Sequence, residues 1–380
     1  MDKRGTVILA ITLFVSVIGS LITSKTMADM NRSIALAQEE ARPASINITK
    51  ITVPDCKECF DIESAVVNLK KQNVKIEEEK EVVWNSPEGR ELISKLEIKQ
   101  APAFVATGEV AKSSLTSYIA GNGEIKNSTF VFNKQTPLLI DTATGKEVGW
   151  VTATIITDPT CPKCTDPKKT ADILQKSGVK MKITEQLSWT SLSARGLTAK
   201  YNITKVPTLV LSSDLGMYPA VVSAWKNYGS VEKGGVYVAR SLPLPYRDLK
   251  QGRVVGYVDL IYLTDASCAQ CHNPAQMQRP ILTAGYGVAL RSERTVDKAS
   301  TEGQGLISKY KITKLPTILL SPEADQYAKL KNVWKSVGTT ESDGWYIFRE
   351  LQQMRVVYKD LSTNQVMGKP TPTVSPTIKQ

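Results

Sequence analysis

The 380-residue chain has a single histidine, no cysteine outside three short-spaced pairs, and no dense block of basic residues. Each lack excludes something. The formal net charge is +11, yet Lys and Arg are scattered among Asp and Glu and no RNA-binding aromatic motif accompanies them, so a nucleic-acid partner is not expected. The charge is read instead as a lysine-rich solvated surface or as proximity to an anionic membrane. A hydrophobic share of 42% with 22% charged residues excludes wholesale disorder. At roughly 100–200 residues per domain, the chain has room for two to four compact units.

What is present begins at the N-terminus, where Lys3 and Arg4 precede an uncharged run from Gly5 to Ser24 that Lys25 closes. Twenty residues at about 1.5 Å each span about 30 Å, the thickness of a bilayer core. Residues 1–25 are therefore expected to form a single membrane-spanning helix, retained as an anchor, followed by a linker over 26–45. Ala35-Leu36-Ala37 resembles a signal-peptide cleavage site, but it lies well beyond the apolar run. The leading positive charges place the N-terminus inside and the rest of the chain outside the cytoplasm, at the cell membrane.

The six cysteines occur as Cys56-Lys57-Glu58-Cys59, Cys161-Pro162-Lys163-Cys164 and Cys268-Ala269-Gln270-Cys271. The first cysteines stand 105 and 107 residues apart, a domain-sized period far longer than the 20–50 residues of a solenoid repeat. Ala101-Pro102, Val206-Pro207 and Leu315-Pro316 follow them after 46, 46 and 48 residues. Around the second and third prolines the chain is nearly the same, Lys-Tyr-Asn-Ile-Thr-Lys-Val-Pro-Thr against Lys-Tyr-Lys-Ile-Thr-Lys-Leu-Pro-Thr. Tyr218, Trp225 and Tyr237 recur as Tyr327, Trp334 and Tyr346, a spacing that marks them as core residues. Asp141, Gly145 and Gly149 are spaced like Asp248, Gly252 and Gly256 and then Asp360, Asn364 and Gly368, with the middle residue suited to a turn of positive φ. Three domains are expected, over 46–138, 139–245 and 246–368, with a Pro/Thr-rich tail over 369–380.

In the middle copy Val151–Ile156 reads as a strand ending at Asp158-Pro159, Cys164–Lys176 as a helix, Val179–Ile183 as a strand, Ser191–Tyr201 as a helix and Thr208–Leu211 as a strand after the proline. This order, with the cysteine-to-proline spacing, resembles the thioredoxin and protein disulfide isomerase superfamily over roughly residues 46–368. The resemblance implies an α/β architecture of three tandem thioredoxin-like domains, each a mixed sheet flanked by helices. It further implies Cys56, Cys161 and Cys268 as nucleophiles, Cys59, Cys164 and Cys271 as resolving partners, and disulfides Cys56–Cys59, Cys161–Cys164 and Cys268–Cys271. Ala101-Pro102, Val206-Pro207 and Leu315-Pro316 become substrate-facing loops with cis bonds. A first cysteine at a helix N-terminus would be stabilised as thiolate, and Lys163 makes the second pair the favoured redox site. Pro280 is expected to kink or shorten the third domain's first helix.

The sequence departs from thioredoxin where a buried acid stands six residues before the first cysteine: Lys50, Ile155 and Tyr262 occupy that place. The expected activity is thiol-disulfide exchange on protein cysteines, with an unidentified redox partner, no bound cofactor and no metal. The main alternative is a surface scaffold with structural disulfides. A smaller one is c-type haem or metal binding at Cys268, Cys271 and His272, since Cys-x-x-Cys-His is a haem attachment string. Two pairs sharing a zinc is disfavoured by their separation.

Overall fold

The computed structural model describes residue 27 and residues 29–368. The expected anchor over 1–25 and the expected tail over 369–380 lie outside the described residues. Among the described residues no helix is long and apolar enough to cross a membrane. Residues 29–41, within the expected linker, form an exposed helix.

The chain divides into two compact units, one up to Trp150 and one from Val151 onward. The first holds one copy of the repeat and the second holds two. Each copy is built on a five-stranded mixed sheet of the same order. In the first copy the order is Val74–Val83, Ala44–Thr52, Ala103–Gly108, Thr129–Phe132 and Gly123–Lys126. In the second it is Met181–Ser188, Val151–Thr157, Thr208–Leu211, Tyr237–Ala239 and Gly229–Val231. In the third it is Ala289–Asp297, Tyr257–Thr264, Thr317–Leu320, Tyr346–Phe348 and Gly338–Thr340. The first two strands in each list run parallel and the remaining pairs antiparallel. Three repeated α/β units therefore follow one another, as the triplicated motifs predicted.

Alternation along the strands gives every sheet two buried faces. In the second copy Ala153, Ile155, Leu209, Leu211 and Tyr237 enter one core cluster, while Ile156, Val210 and Val238 enter the other. Trp225 packs edge-on against Tyr237 with ring centres 5.6 Å apart, and Trp334 against Tyr346 at 5.5 Å. These aromatics are core residues, as their spacing predicted. Gly123, Gly229 and Gly338 open the last strand of each sheet, where a Cβ would come within 2.1, 2.0 and 2.3 Å of the neighbouring carbonyl oxygens of Val131, Val238 and Ile347. Only glycine fits so close an approach.

A short three-stranded sheet closes each copy. Gln100–Ala101 pairs with Leu139–Asp141, Lys205–Val206 with Tyr246–Asp248, and Lys314–Leu315 with Tyr358–Asp360. The turns of these hairpins place Gly145, Gly252 and Asn364 at φ of 67°, 68° and 58°. By this pairing residues 139–148 and 246–255 lie with the copy that precedes them, past the ends expected at 138 and 245.

The helices after the cysteines begin later than expected, at Ile62, Pro167 and Pro274 rather than at the motif itself. The cause is local. Asp61, Asp166 and Asn273, two residues past each second cysteine, cap the helix by accepting a bond from the backbone N–H two residues on, and proline at the first helical position fixes the start in the last two copies. The third helix runs only from Pro274 to Pro280 and passes into a wide turn over Ile281–Gly285, in keeping with Pro280 lacking a donor for a longer helix.

Candidate functional site

Each Cys-x-x-Cys motif forms a tight turn at the end of the central strand. The first cysteine's N–H donates to the carbonyl three residues earlier, Val53, Asp158 or Asp265, at 3.2, 3.1 and 3.0 Å. The second cysteine's N–H donates to the first cysteine's carbonyl at 3.3, 3.1 and 3.1 Å. All three pairs are closed as disulfides, with Cα atoms 5.3, 5.3 and 5.4 Å apart. Since the helices start beyond the motif and their first N–H groups are taken by Asp61, Asp166 and Asn273, the helix-terminal stabilisation expected for the first cysteines is displaced down the chain.

The Ala101-Pro102, Val206-Pro207 and Leu315-Pro316 bonds are all cis. In the third copy the Leu315 carbonyl lies 4.0 Å from Cys271 Sγ, and Cys268, Cys271 and Pro316 line one cavity of about 290 Å³. In the first copy Cys56 and Cys59 pack against a core cluster that contains Ala101.

The three sites differ in their cover. Cys56, Cys59, Cys164, Cys268 and Cys271 are half-buried, whereas Cys161 is only 5% exposed. Tyr257, the first strand residue of the third copy, puts its hydroxyl 3.4 Å from Cys161 Sγ and accepts the Lys163 N–H at 3.3 Å. The Lys163 ammonium donates to the Leu290 carbonyl at 2.5 Å. The lysine that made the second pair the favoured redox site is thus spent on the neighbouring copy, and the sulfur it would activate is covered.

Charge beneath the motifs takes a form that the sequence reading missed. Asp158 and Asp265, three residues before the first cysteine, are each 5% exposed. Asp158 faces Arg247 Nε at 2.7 Å and accepts from the N–H and hydroxyl of Thr160 at 2.9 and 2.6 Å. Asp265 faces Lys298 at 2.7 Å and Lys359 at 3.5 Å and accepts from Ser267. Burial works against ionisation at both, but these hydrogen bonds and cations prevail and hold both below the usual carboxylate range, Asp265 at about 2. In the first copy the equivalent pair is apolar, Val53 and Ile140, both 8% exposed. The signal was legible: carboxylate and cation appear together in the second and third copies and are both missing from the first.

Six residues before the first cysteine, Lys50 is buried among Glu63, Glu79 and Glu81. Burial opposes its charge, yet the three carboxylates outweigh it and raise its pKa. The Tyr262 hydroxyl donates to Glu293 at 2.8 Å. Glu147 Oε1 lies 3.5 Å from Cys56 Sγ, so that Cys56, Cys59 and Glu147 place three donor atoms within 4.8 Å of one another.

The residues of the haem string do not fit a haem. The Cys268 and Cys271 sulfurs are bonded to each other rather than open to vinyl carbons. His272 Nδ1 sits 3.1 Å from the Val357 carbonyl. Burial lowers the pKa of this ring more than that carbonyl raises it. The adjoining cavity of about 290 Å³ is at the floor of the range of about 300–1,000 Å³ used by small-molecule sites.

No protein-family profile and no curated protein matches the chain. Among solved structures, form II of ERdj5 aligns at 14% identity over 77% of this chain and 38% of its own, with a TM-score of 0.15. Full-length ERdj5 aligns at 12% identity over 82% and 42%, also at 0.15. A protein disulfide oxidoreductase from Aeropyrum pernix k1 aligns at 13% identity over 48% and 82%, at 0.13. The chain thus spans about two fifths of the ERdj5 structures, and TM-scores this low give these similarities no weight for fold or function.

Proposed function

We propose that this chain is a thiol-disulfide oxidoreductase acting on protein cysteines, held at the cell membrane by residues 1–25 with its repeats outside the cytoplasm, where disulfides persist. The observation that carries the chemistry is the third site, where Cys268, Cys271 and Pro316 share one cavity and the Leu315 carbonyl faces Cys271 Sγ at 4.0 Å. Backbone beside a disulfide gives an incoming extended chain something to pair with. A substrate thiolate attacks Cys268 Sγ, the Cys268–Cys271 bond breaks and Cys271 leaves as thiolate. A second substrate thiolate then attacks the substrate sulfur of the mixed disulfide, releasing oxidised substrate and the reduced pair; the reverse sequence reduces a substrate disulfide.

Cysteine exposure favours the first and third pairs as the working sites. The burial of Cys161 supports a second reading for the middle pair alone, a structural disulfide. Alkylation mass mapping across glutathione buffers separates the roles. Midpoints of about −120 to −270 mV are expected for Cys56–Cys59 and Cys268–Cys271, whereas values below about −300 mV for all three would mark a scaffold and refute the proposal. Cys271→Ser should accumulate mixed disulfides through Cys268. Protease protection in intact cells tests the anchor and its orientation.

A further inference from the structure

The three copies fill the space between the post-cysteine helix and the sheet differently. Strand register makes Phe132, Ala239 and Phe348 equivalent, and likewise Phe104, Leu209 and Ile318. The residue after the second cysteine is Phe60, Thr165 or His272. In the first copy these positions form a run of rings, Phe60 on Phe132 at 5.9 Å and Phe132 on Phe104 at 4.9 Å. In the third, Phe348 packs against Trp334 at 6.1 Å and His272 is half-buried. The second copy has the smallest set, Thr165, Leu209 and Ala239.

What results is a cavity of about 530 Å³, which Thr165, Leu209 and Ala239 line together with Ile173, Val221 and Trp225. The cavity opens to solvent beside the exposed Ile173 and Tyr228, and its volume is typical of small-molecule sites. No lining side chain carries a charge. Several of its polar groups are already satisfied within the protein. The Thr208 hydroxyl donates to the Ala239 carbonyl at 2.7 Å, Ser177 to Ile173 at 2.9 Å, and Trp225 Nε1 to Ser230 at 3.1 Å. An ionic ligand would be desolvated here with nothing to pair it.

We propose that the second copy is a binding domain for a small, neutral, apolar molecule, aromatic or long-chain, seated where the first copy stacks its own phenyl rings. The chemistry follows from the absence of charge in the walls and from the groups that fill the same space in the sister copies. Thr165 adjoins Cys164, and Pro207 also lines the cavity, so the ligand would lie directly behind the second disulfide. This role does not depend on exchange activity.

The test titrates the full chain with the neutral fluorophore N-phenyl-1-naphthylamine, beside Ala239→Phe, which restores the ring found at Phe132 and Phe348. Comparing the two proteins in one medium cancels any probe taken up elsewhere. A saturable fluorescence increase in the natural protein that is lost in Ala239→Phe is expected. Equal uptake by both, or none by either, overturns the proposal. Should Ala239→Phe lose cooperative thermal unfolding, Thr165→Phe, which restores the ring of Phe60, makes the same comparison. Sedimentation showing a dimer that excludes the probe and that Ala239→Phe dissociates would assign the cavity to a second copy of this chain, and would also overturn it.

Discussion

Replacing Arg247 with isoleucine, the residue the first copy carries at that place as Ile140, would strip Asp158 of its cation. Asp158, 5% exposed in the natural protein, would keep only the N–H and hydroxyl of Thr160 as partners of its carboxylate. Breaking one side of a buried pair typically costs about 3–5 kcal/mol. Protonation sets a ceiling: neutralising a carboxyl of reference pKa 3.8 at pH 7 costs about 4 kcal/mol at about 1.4 kcal/mol per unit. A loss of about 3–4 kcal/mol is therefore expected for Arg247→Ile at pH 7. The double replacement Asp158→Val/Arg247→Ile installs the apolar pair of the first copy and should return to within about 1 kcal/mol of the natural protein. The assay is native-state hydrogen exchange by mass spectrometry on the strand Val151–Thr157. This reads the second copy without requiring the whole chain to unfold in one step. A double variant as unstable as the single one, or a single variant costing less than about 1 kcal/mol, would refute the argument.

Two further outcomes follow from the same geometry. The folded pKa of Asp265 is depressed to about 2 from 3.8, so its contribution of about 2 kcal/mol is fully present above pH ~4 and lost as pH falls from there towards 2; Lys298→Met should shrink this acid-dependent loss in stability curves of the full chain, and an unchanged curve would count against the pairing. Tyr257→Ala removes the hydroxyl that lies 3.4 Å from Cys161 Sγ, so iodoacetamide should label reduced Cys161 faster while the rate at Cys268 holds; an unchanged Cys161 rate would show that Tyr257 is not its cover.

The architecture could be read from the sequence because its signals are local and repeated. Proline at a nearly constant distance from each cysteine pair, and apolar alternation in Val151–Thr157, fix strand, turn and helix order without distant contacts. The helix starts are legible too, in Asp166-Pro167 and Asn273-Pro274, where a capping side chain precedes a proline suited to the first helical position. Ranking the sites was beyond local pattern. Lys163 reads as a thiolate-stabilising charge until the structure shows it bonded to Leu290, 127 residues away, and the cover on Cys161 comes from a tyrosine 96 residues downstream. The cavity of the second copy emerges only when strand register aligns Ala239 with Phe132 and Phe348.

The hairpin that closes the second copy has a mechanical consequence. Its last strand ends at Val255 and the third copy's central strand begins at Tyr257, leaving Gly256 alone between them. There is no slack to absorb a rotation. Gly256 is itself fixed, its N–H donating to Glu323 at 2.7 Å and its carbonyl accepting from the Tyr327 hydroxyl at 2.6 Å. The tyrosine that covers Cys161 is therefore tied, through one residue, to the hairpin that pairs with the backbone leading into Pro207.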